Sequence, residues 1–335
     1  FEEDFLMYET QKSKIKNQKS DITGDDSPVH LSTSPPAYPL ARSPVYQSFD
    51  SINSSETIRL IYAALVLGIR DYFGKMGFSK AILGLSGGID SAVTMVLATR
   101  ALGNENVRAI LLPSQFSSDH SITDARQLSE NLLAPYDIVP IEEAFQSFAN
   151  IMKPQFAGLP FNLAEENIQA RIRAVILMAL SNKFGYILLN TSNKSEAAVG
   201  YGTLYGDMCG GVSVLGDVYK TQVYELARFI NSEKEIIPES TLLKAPSAEL
   251  RPGQKDSDSL PDYTILDQIL YKYLEQRIGP NELIREGFDE AIVKWVLKLV
   301  NTSEYKRFQT PPILRVSPKA FGMGRRMPIV AKYLS

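Results

Sequence analysis

The stretch Gly84-Leu85-Ser86-Gly87-Gly88-Ile89-Asp90-Ser91 lies between an apolar run, Ala81-Ile82-Leu83, and the helix-like Ala92-Val93-Thr94-Met95-Val96-Leu97-Ala98. A glycine-rich turn between a buried strand and a helix is a phosphate cradle. Adjacent glycines let the backbone turn tightly with its N–H groups inward, and the helix N-terminus adds positive partial charge. The lysine of a Walker A loop is missing: the nearest Gly-Lys pair, Gly74-Lys75, is followed by Met76 and has no glycine at the required upstream spacing. Asp90 places a carboxylate inside this anion-binding loop. Phosphate repels it unless a cation lies between, which makes Asp90 a candidate Mg2+ ligand.

From Ser54 the periodicities are regular. Ile58, Ile61, Leu65, Ile69 and Tyr72 fall at helical spacing, and Lys80 to Leu85 reads as a buried strand. The pattern recurs as Val107 to Leu112 before a helix from Asp119 to Leu133, and as Tyr136 to Pro140 before a helix from Glu142. Tyr186 to Asn190 makes a further strand after a long helix from Leu163 to Lys183. Short, nearly all-apolar strands alternating with helices predict an α/β fold, a doubly wound parallel sheet with helices on both faces and ligands at the carboxyl ends of the strands. No internal repeat is present. The C-terminal third predicts helices at Tyr263 to Arg277 and Asp289 to Asn301, then an irregular tail.

Composition narrows the class. With 44% hydrophobic residues in 335, the chain can bury a full core. A net charge of −3 and the lack of any Lys/Arg-dense block argue against a nucleic-acid partner. One cysteine, Cys209, excludes an intrachain disulfide and points to a reducing, cytoplasmic setting. No apolar run approaches the roughly 20 residues of a membrane span, and no signal-peptide core opens the chain, so no membrane partner is expected. The start at Phe1 and the Lys/Ser/Asp/Pro-rich stretch after it, with Pro35-Pro36, Pro39 and Pro44, read as a fragment. Residues 1–52 are expected to be a largely disordered linker and residues 53–335 the folded domain.

Ser86-Gly87-Gly88-Ile89-Asp90-Ser91 resembles the PP-loop of ATP pyrophosphatases, the adenine nucleotide α-hydrolase-like fold, whose members cut ATP between its α and β phosphates. Further stretches choose within that superfamily. Asn167-Ile168-Gln169-Ala170-Arg171, Asn190-Thr191-Ser192-Asn193-Lys194-Ser195-Glu196, Tyr205-Gly206-Asp207-Met208, Pro246 to Pro252 and Glu304-Tyr305-Lys306-Arg307 resemble NAD+ synthetases in order and spacing, from about Ile61 to about Ile329. The resemblance is strongest to the synthetase half of the glutamine-dependent enzymes, in which an N-terminal glutaminase domain comes first. Phe1 to Leu6 would then be the trailing edge of that domain. Tyr305 stands where ammonia-dependent relatives tend to carry histidine, which favours the glutamine-dependent subgroup.

That resemblance implies ATP on Gly84, Leu85, Ser86, Gly87, Gly88, Ile89, Asp90 and Ser91, with Thr191, Lys220 and Ser247 as further ATP contacts. It implies Mg2+ on Asp90 and Glu196, and deamido-NAD+ on Asn167, Arg171, Glu196 and Lys306. Asn167 and Arg171, four apart, share a helix face beside an expected core stripe of Ile168, Ile172 and Val175; spacing alone would make such a pair a solvated face. Glu196 alone would be a first-turn helix acid. Lys220 carries no pattern of its own. Asp207 lies in a turn, and the resemblance places it where ammonia enters, as a carboxylate to hold ammonium and accept a proton. His30 falls in the linker and His120 in an expected loop, so Cys209 reads as a packed thiol rather than a nucleophile. The long stretch from Leu250 to Pro261 reads as a lid. The implied reaction has the deamido-NAD+ carboxylate attacking the α-phosphorus of ATP, after which ammonia displaces AMP from the acyl-adenylate. A homodimer follows from the same resemblance, and the catalytic set is Asp90, Glu196 and Asp207. The rivals are another PP-loop amidotransferase such as a GMP synthetase, and a non-catalytic nucleotide-binding module.

Overall fold

The computed structural model describes residues 48–322 and 324–329, so the expected linker lies outside the described residues as far as residue 47. Its last residues are already packed. Phe49–Ile52 form a one-turn helix (α1) capped by Ser48, and Ile52 is buried, so the packed body starts ahead of the expected boundary at residue 53.

Ser54 caps α2 (Ser55–Met76), and Gly77 ends it in the left-handed conformation. Then follow β1 (Ala81–Gly84), α3 (Ile89–Leu102), β2 (Val107–Leu111), α4 (Asp119–Asn131), β3 (Tyr136–Ile138), α5 (Glu142–Phe156), α6 (Leu163–Phe184) and β4 (Ile187–Asn190). The chain continues through α7 (Lys194–Val199), β5 (Val212–Ser213), α8 (Lys220–Ile230), α9 (Glu239–Leu243), α10 (Tyr263–Leu274), α11 (Pro280–Arg285), α12 (Glu290–Thr302) and α13 (Glu304–Arg307). Several expected ends shorten for local reasons. Leu133 and Arg277 adopt positive φ and so cannot continue α4 and α10, and Pro140 has no N–H to give a strand ladder.

The five strands are parallel, in the order β3-β2-β1-β4-β5. Alternation along them divides the sheet's two faces. Ala81, Leu83, Val107, Ala109 and Leu111 pack with α2, α3, α4 and α8, whereas Ile82, Ile110 and Leu188 pack with Phe145 of α5 and with Ile172 and Leu177 of α6. This is the doubly wound arrangement. A separate cluster joins Ala198 and Val199 of α7 to Leu266, Leu270, Val293, Val296 and Leu297 of α10 and α12. Among the described residues no helix is long and apolar enough to cross a membrane.

Strand order fixes where a ligand can enter. The chain leaves β1 toward β2 on one side and later returns to add β4 on the other, so a crevice opens beyond the carboxyl ends of β1 and β4. The Gly84–Ser91 loop follows the first of these strands and Thr191 the second.

Candidate active site

Ser86 and Ser91 shape the loop from within. Ser91 Oγ donates to the Gly88 carbonyl at 3.0 Å, the Gly88 amide donates to Ser86 Oγ at 3.2 Å, and the Ser86 amide donates to Ser91 Oγ at 3.3 Å. Gly87 adopts φ +80°, and a Cβ there would collide with the Ser121 carbonyl oxygen, so both backbone strain and the wall made by α4 require glycine. The first residue before α3 is Gly88, and this helix has no side-chain cap. Its N-terminal amides therefore face the cleft as anion donors.

Asp90, in the first turn of α3, faces Lys220, the first residue of α8. Lys220 Nζ donates to Asp90 Oδ2 at 2.5 Å and to Glu196 Oε1 at 3.3 Å, and Asn193 Nδ2 donates to Asp90 Oδ1 at 2.8 Å. Asn193 and Glu196 form the capping box of α7: the Glu196 amide donates to Asn193 Oδ1, and the Asn193 amide donates to Glu196 Oε2. Lys220 is buried rather than solvated. Burial pulls its ammonium down, but Asp90 and Glu196 outweigh that and hold it well above the usual lysine range. Burial pushes the Glu196 carboxyl up; Lys220 opposes the shift, and Asp90 and Asp256 add to it.

A second group gathers where α6 meets the 203–207 turn. Thr203 Oγ1 donates to Asn167 Oδ1 at 2.6 Å, and Arg171 Nε donates to the Leu204 carbonyl at 3.2 Å. Asp207 Oδ1 accepts from the Thr203 amide at 2.8 Å. Desolvation in this walled turn pushes the Asp207 carboxyl up to about 6, although its side chain keeps open surface; Thr203, Lys306, Arg173 and Arg171 pull the other way. Lys306 Nζ donates to the carbonyls of Gly200 and Gly202 at 2.7 and 2.8 Å. Its neighbour Arg307 is buried and turned away from the cleft.

Ser247 Oγ donates to the Gln254 carbonyl at 2.6 Å and accepts from the Glu249 amide, which folds the segment expected as a lid back on itself. Asp256 of that segment is buried and accepts from the hydroxyls of Tyr201 and Tyr263. Thr191 is half-buried where the chain leaves β4. Two expectations change and one holds. His120 lies in the first turn of α4, exposed, not in a loop, because Ser118 caps that helix one residue before it begins. Val175 is 68% exposed, because α6 buries Ile172 and Leu177 against the sheet and Gln169 and Ala170 against the 250 and 206 segments, and leaves Val175 outside. Cys209 is half-buried, with burial and nearby Asp207 pushing its thiol up, which suits a packed thiol.

Asn193, Asp256, Tyr263 and Asp267 join the site without having been singled out in the sequence. Asn193-x-x-Glu196 is a readable capping box, but the other three reach the site through distant partners and carry no local pattern.

The sequence profile of the NAD synthase family matches residues 61–310. The chain is 54% identical over 273 residues to a glutamine-dependent NAD(+) synthetase of Synechocystis sp., covering 82% of this chain and 49% of that protein. Among solved structures it is similar to a glutamine-dependent NAD+ synthetase from Acinetobacter baumannii in complex with ADP, with a TM-score of 0.57 and 44% identity over 83% of this chain and 50% of that one. It is also similar to an NH3-dependent NAD synthetase from Campylobacter jejuni in complex with nitrate, with a TM-score of 0.61 and 29% identity over 77% of this chain and 99% of that one. The chain spans about half the length of the curated relatives it matches.

Proposed function

Because this chain belongs to the NAD synthase family, we propose that its cleft converts deamido-NAD+ to NAD+, cleaving ATP to AMP and pyrophosphate and taking ammonia as the nitrogen donor. The observation that carries this reading is the meeting of Asp90, Glu196 and Lys220 beneath the Gly84–Ser91 loop, at the carboxyl ends of β1 and β4.

The loop amides, the α3 N-terminus and the hydroxyls of Ser86 and Ser91 hold the pyrophosphate part of ATP, with Lys220 on its phosphates and Thr191 and Ser247 on the rest of the nucleotide. Two carboxylates that already share one cation fit Mg2+, which takes one or two acids plus substrate phosphates; Asp90 and Glu196 would hold it, and it would neutralise phosphate charge. Asn167, Arg171, Glu196 and Lys306 orient deamido-NAD+ so that its nicotinate carboxylate attacks the α-phosphorus in line, expelling pyrophosphate. Ammonia then attacks the acyl-adenylate carbonyl and AMP leaves. Asp207, with a carboxyl near 6, holds ammonium and takes its proton. The 250–261 segment shields the adenylate from water.

A glutaminase domain of the same full-length protein is the proposed ammonia source, supported by the half-length match to glutamine-dependent relatives. The outer side of α5 and α6 exposes Phe148, Ile151, Leu163, Val175 and Met178, which supports a homodimer across that face. We place the reaction in a reducing, cytoplasmic setting.

The test is NAD+ formation from deamido-NAD+, ATP and Mg2+, with ammonium or glutamine, following AMP release in parallel. Turnover with ammonium alone is the expected result. Turnover with glutamine would overturn the separate glutaminase, and ATP cleavage triggered by xanthosine monophosphate instead would shift the reading to a GMP synthetase.

A further inference from the structure

Helix α10 grips Lys220 at both ends. Asp267, fully buried on α10, accepts from the Thr221 amide at Oδ2 (2.8 Å) and from Ser195 Oγ at Oδ1 (2.5 Å), and Ser195 Oγ in turn accepts from the Lys220 amide at 2.9 Å. The first amides of any helix have no partner within it. In α8 two of them are taken by a carboxylate on another element and by the hydroxyl that this carboxylate orients. Because an ionised carboxylate only accepts, the Ser195 proton must point to Asp267, and its lone pairs are left to the Lys220 amide. One turn earlier on α10, the Tyr263 ring lies 5.2 Å from Lys220 Nζ, and the Tyr263 hydroxyl donates to Asp256 Oδ2 at 2.9 Å. Ser195 directly precedes Glu196. The same carboxylate therefore ties α7 to α8 and fixes Glu196 relative to Lys220.

We infer that Asp267 is a positioning residue of the phosphate site: through Thr221 and Ser195 it sets the first turn of α8 and holds the Lys220 ammonium at Asp90 and Glu196. The inference rests on the reading of Lys220 as a phosphate-binding group. Asp267 touches no reacting atom in this role. Without its carboxylate the Ser195 hydroxyl is free to rotate, the Thr221 amide loses its acceptor, and Lys220 must be reordered each time ATP binds.

ATP binding to the 335-residue chain, measured by titration calorimetry without deamido-NAD+ or ammonia, tests this independently of which acid is amidated. Asp267→Ala should weaken ATP binding about tenfold and Ser195→Ala about threefold, as expected for losing a helix-cap acceptor. Asp267→Asn keeps a carbonyl oxygen for Thr221 and a donor for Ser195, and should stay within about threefold of the wild type. In a Lys220→Ala background neither Asp267→Ala nor Ser195→Ala should weaken binding further. In turnover, the KM for ATP should rise and kcat should fall in Asp267→Ala, and Asp267→Asn should restore both. Wild-type ATP affinity in both single variants, or an equal loss in the Lys220→Ala background, would overturn the inference. If Asp267→Ala does not fold, Ser195→Ala in the two backgrounds decides. A chain that binds ATP in the expected pattern but does not amidate deamido-NAD+ would sink the proposed reaction and leave the role of Asp267 standing.

Discussion

Asp90 is a carboxylate in a loop made to bind anions, and the structure shows how it is tolerated: Lys220 and Asn193 each satisfy one of its oxygens. Asp90→Asn keeps the size and removes the charge. Because Asp90 is partly exposed at the cleft, the variant should stay folded, while pyrophosphate release should fall at least about 100-fold, on the order of 3 kcal/mol of transition-state stabilisation. Normal release would remove Asp90 from the proposed metal site. Asp267 gives a second prediction. Burial raises its carboxyl to about 6 from the ordinary 3.8, against the hydrogen bonds from Ser195 and Thr221. A raised carboxyl means that the folded state keeps its proton through a range where the unfolded chain has lost it, so stability falls as pH rises from about 4 to about 6. Asp267→Asn removes that loss, which is on the order of 3 kcal/mol at most. Thermal unfolding at pH 4 to 7 should show the wild type losing ground to the variant as pH rises; parallel curves would mean an ordinary carboxylate. Asp90 was legible in the sequence because a charge in a phosphate loop demands a counter-cation. Lys220 was legible only through the family resemblance, since a lysine at a helix start has no spacing to betray it, and Asp267 was not legible at all, because it meets Thr221 from 46 residues away.

Helix α7 carries Glu196 in only six residues, too short to hold its shape alone. Its ends are fixed by buried cations. At the start, Lys194 Nζ lies 2.9 Å from Asp217 and 2.8 Å from Glu275, with Ser317 Oγ also at 2.8 Å. At the far end, Arg307 donates from Nη1 to the Ala197 and Ala198 carbonyls, Ser303 Oγ donates to the Val199 carbonyl, and Lys306 donates to Gly200. Arg307→Met strands those carbonyls and leaves Glu304 buried without its 2.8 Å partner. It should destabilise the fold by about 3 to 5 kcal/mol. The control is Lys75→Met, which breaks an exposed pair with Asp71 and should cost less than about 1 kcal/mol. Urea unfolding of both variants checks the contrast, and equal losses would show that Arg307 is not a structural cap. The alternation of apolar strands and helices made the parallel sheet readable in advance. What stayed hidden was how α12 and α13 close over α7, because such caps pair side chains with carbonyls across about 100 residues and leave no periodicity.

The two faces of the sheet are covered unequally. The side under α2, α3, α4 and α8 holds the large core cluster, while the side under α5 and α6 holds Ile82, Ile110, Leu112, Ile141, Phe145, Ile172, Leu177 and Leu188. Beyond that thin layer, Ile151, Leu163 and Val175 are each at least 65% exposed. Spacing alone grouped Val175 with the core, and that would hold only if another layer covered α6. A second copy of the chain supplies such a layer in the proposed homodimer. Arg171 lies on this same side of α6, one turn from Val175, so loss of the contact should be felt at the proposed deamido-NAD+ site as well as in assembly. Val175→Glu puts an unpaired charge into the contact and should shift sedimentation from dimer to monomer at micromolar concentration, with little change in thermal unfolding of the protomer because the position is open to solvent. The KM for deamido-NAD+ should rise while ATP affinity, assigned in the proposed function to the Gly84–Ser91 loop and Lys220, holds. A monomeric wild type would leave the exposed α5 and α6 face to another partner. A monomeric variant with an unchanged KM would keep the dimer but detach it from the site.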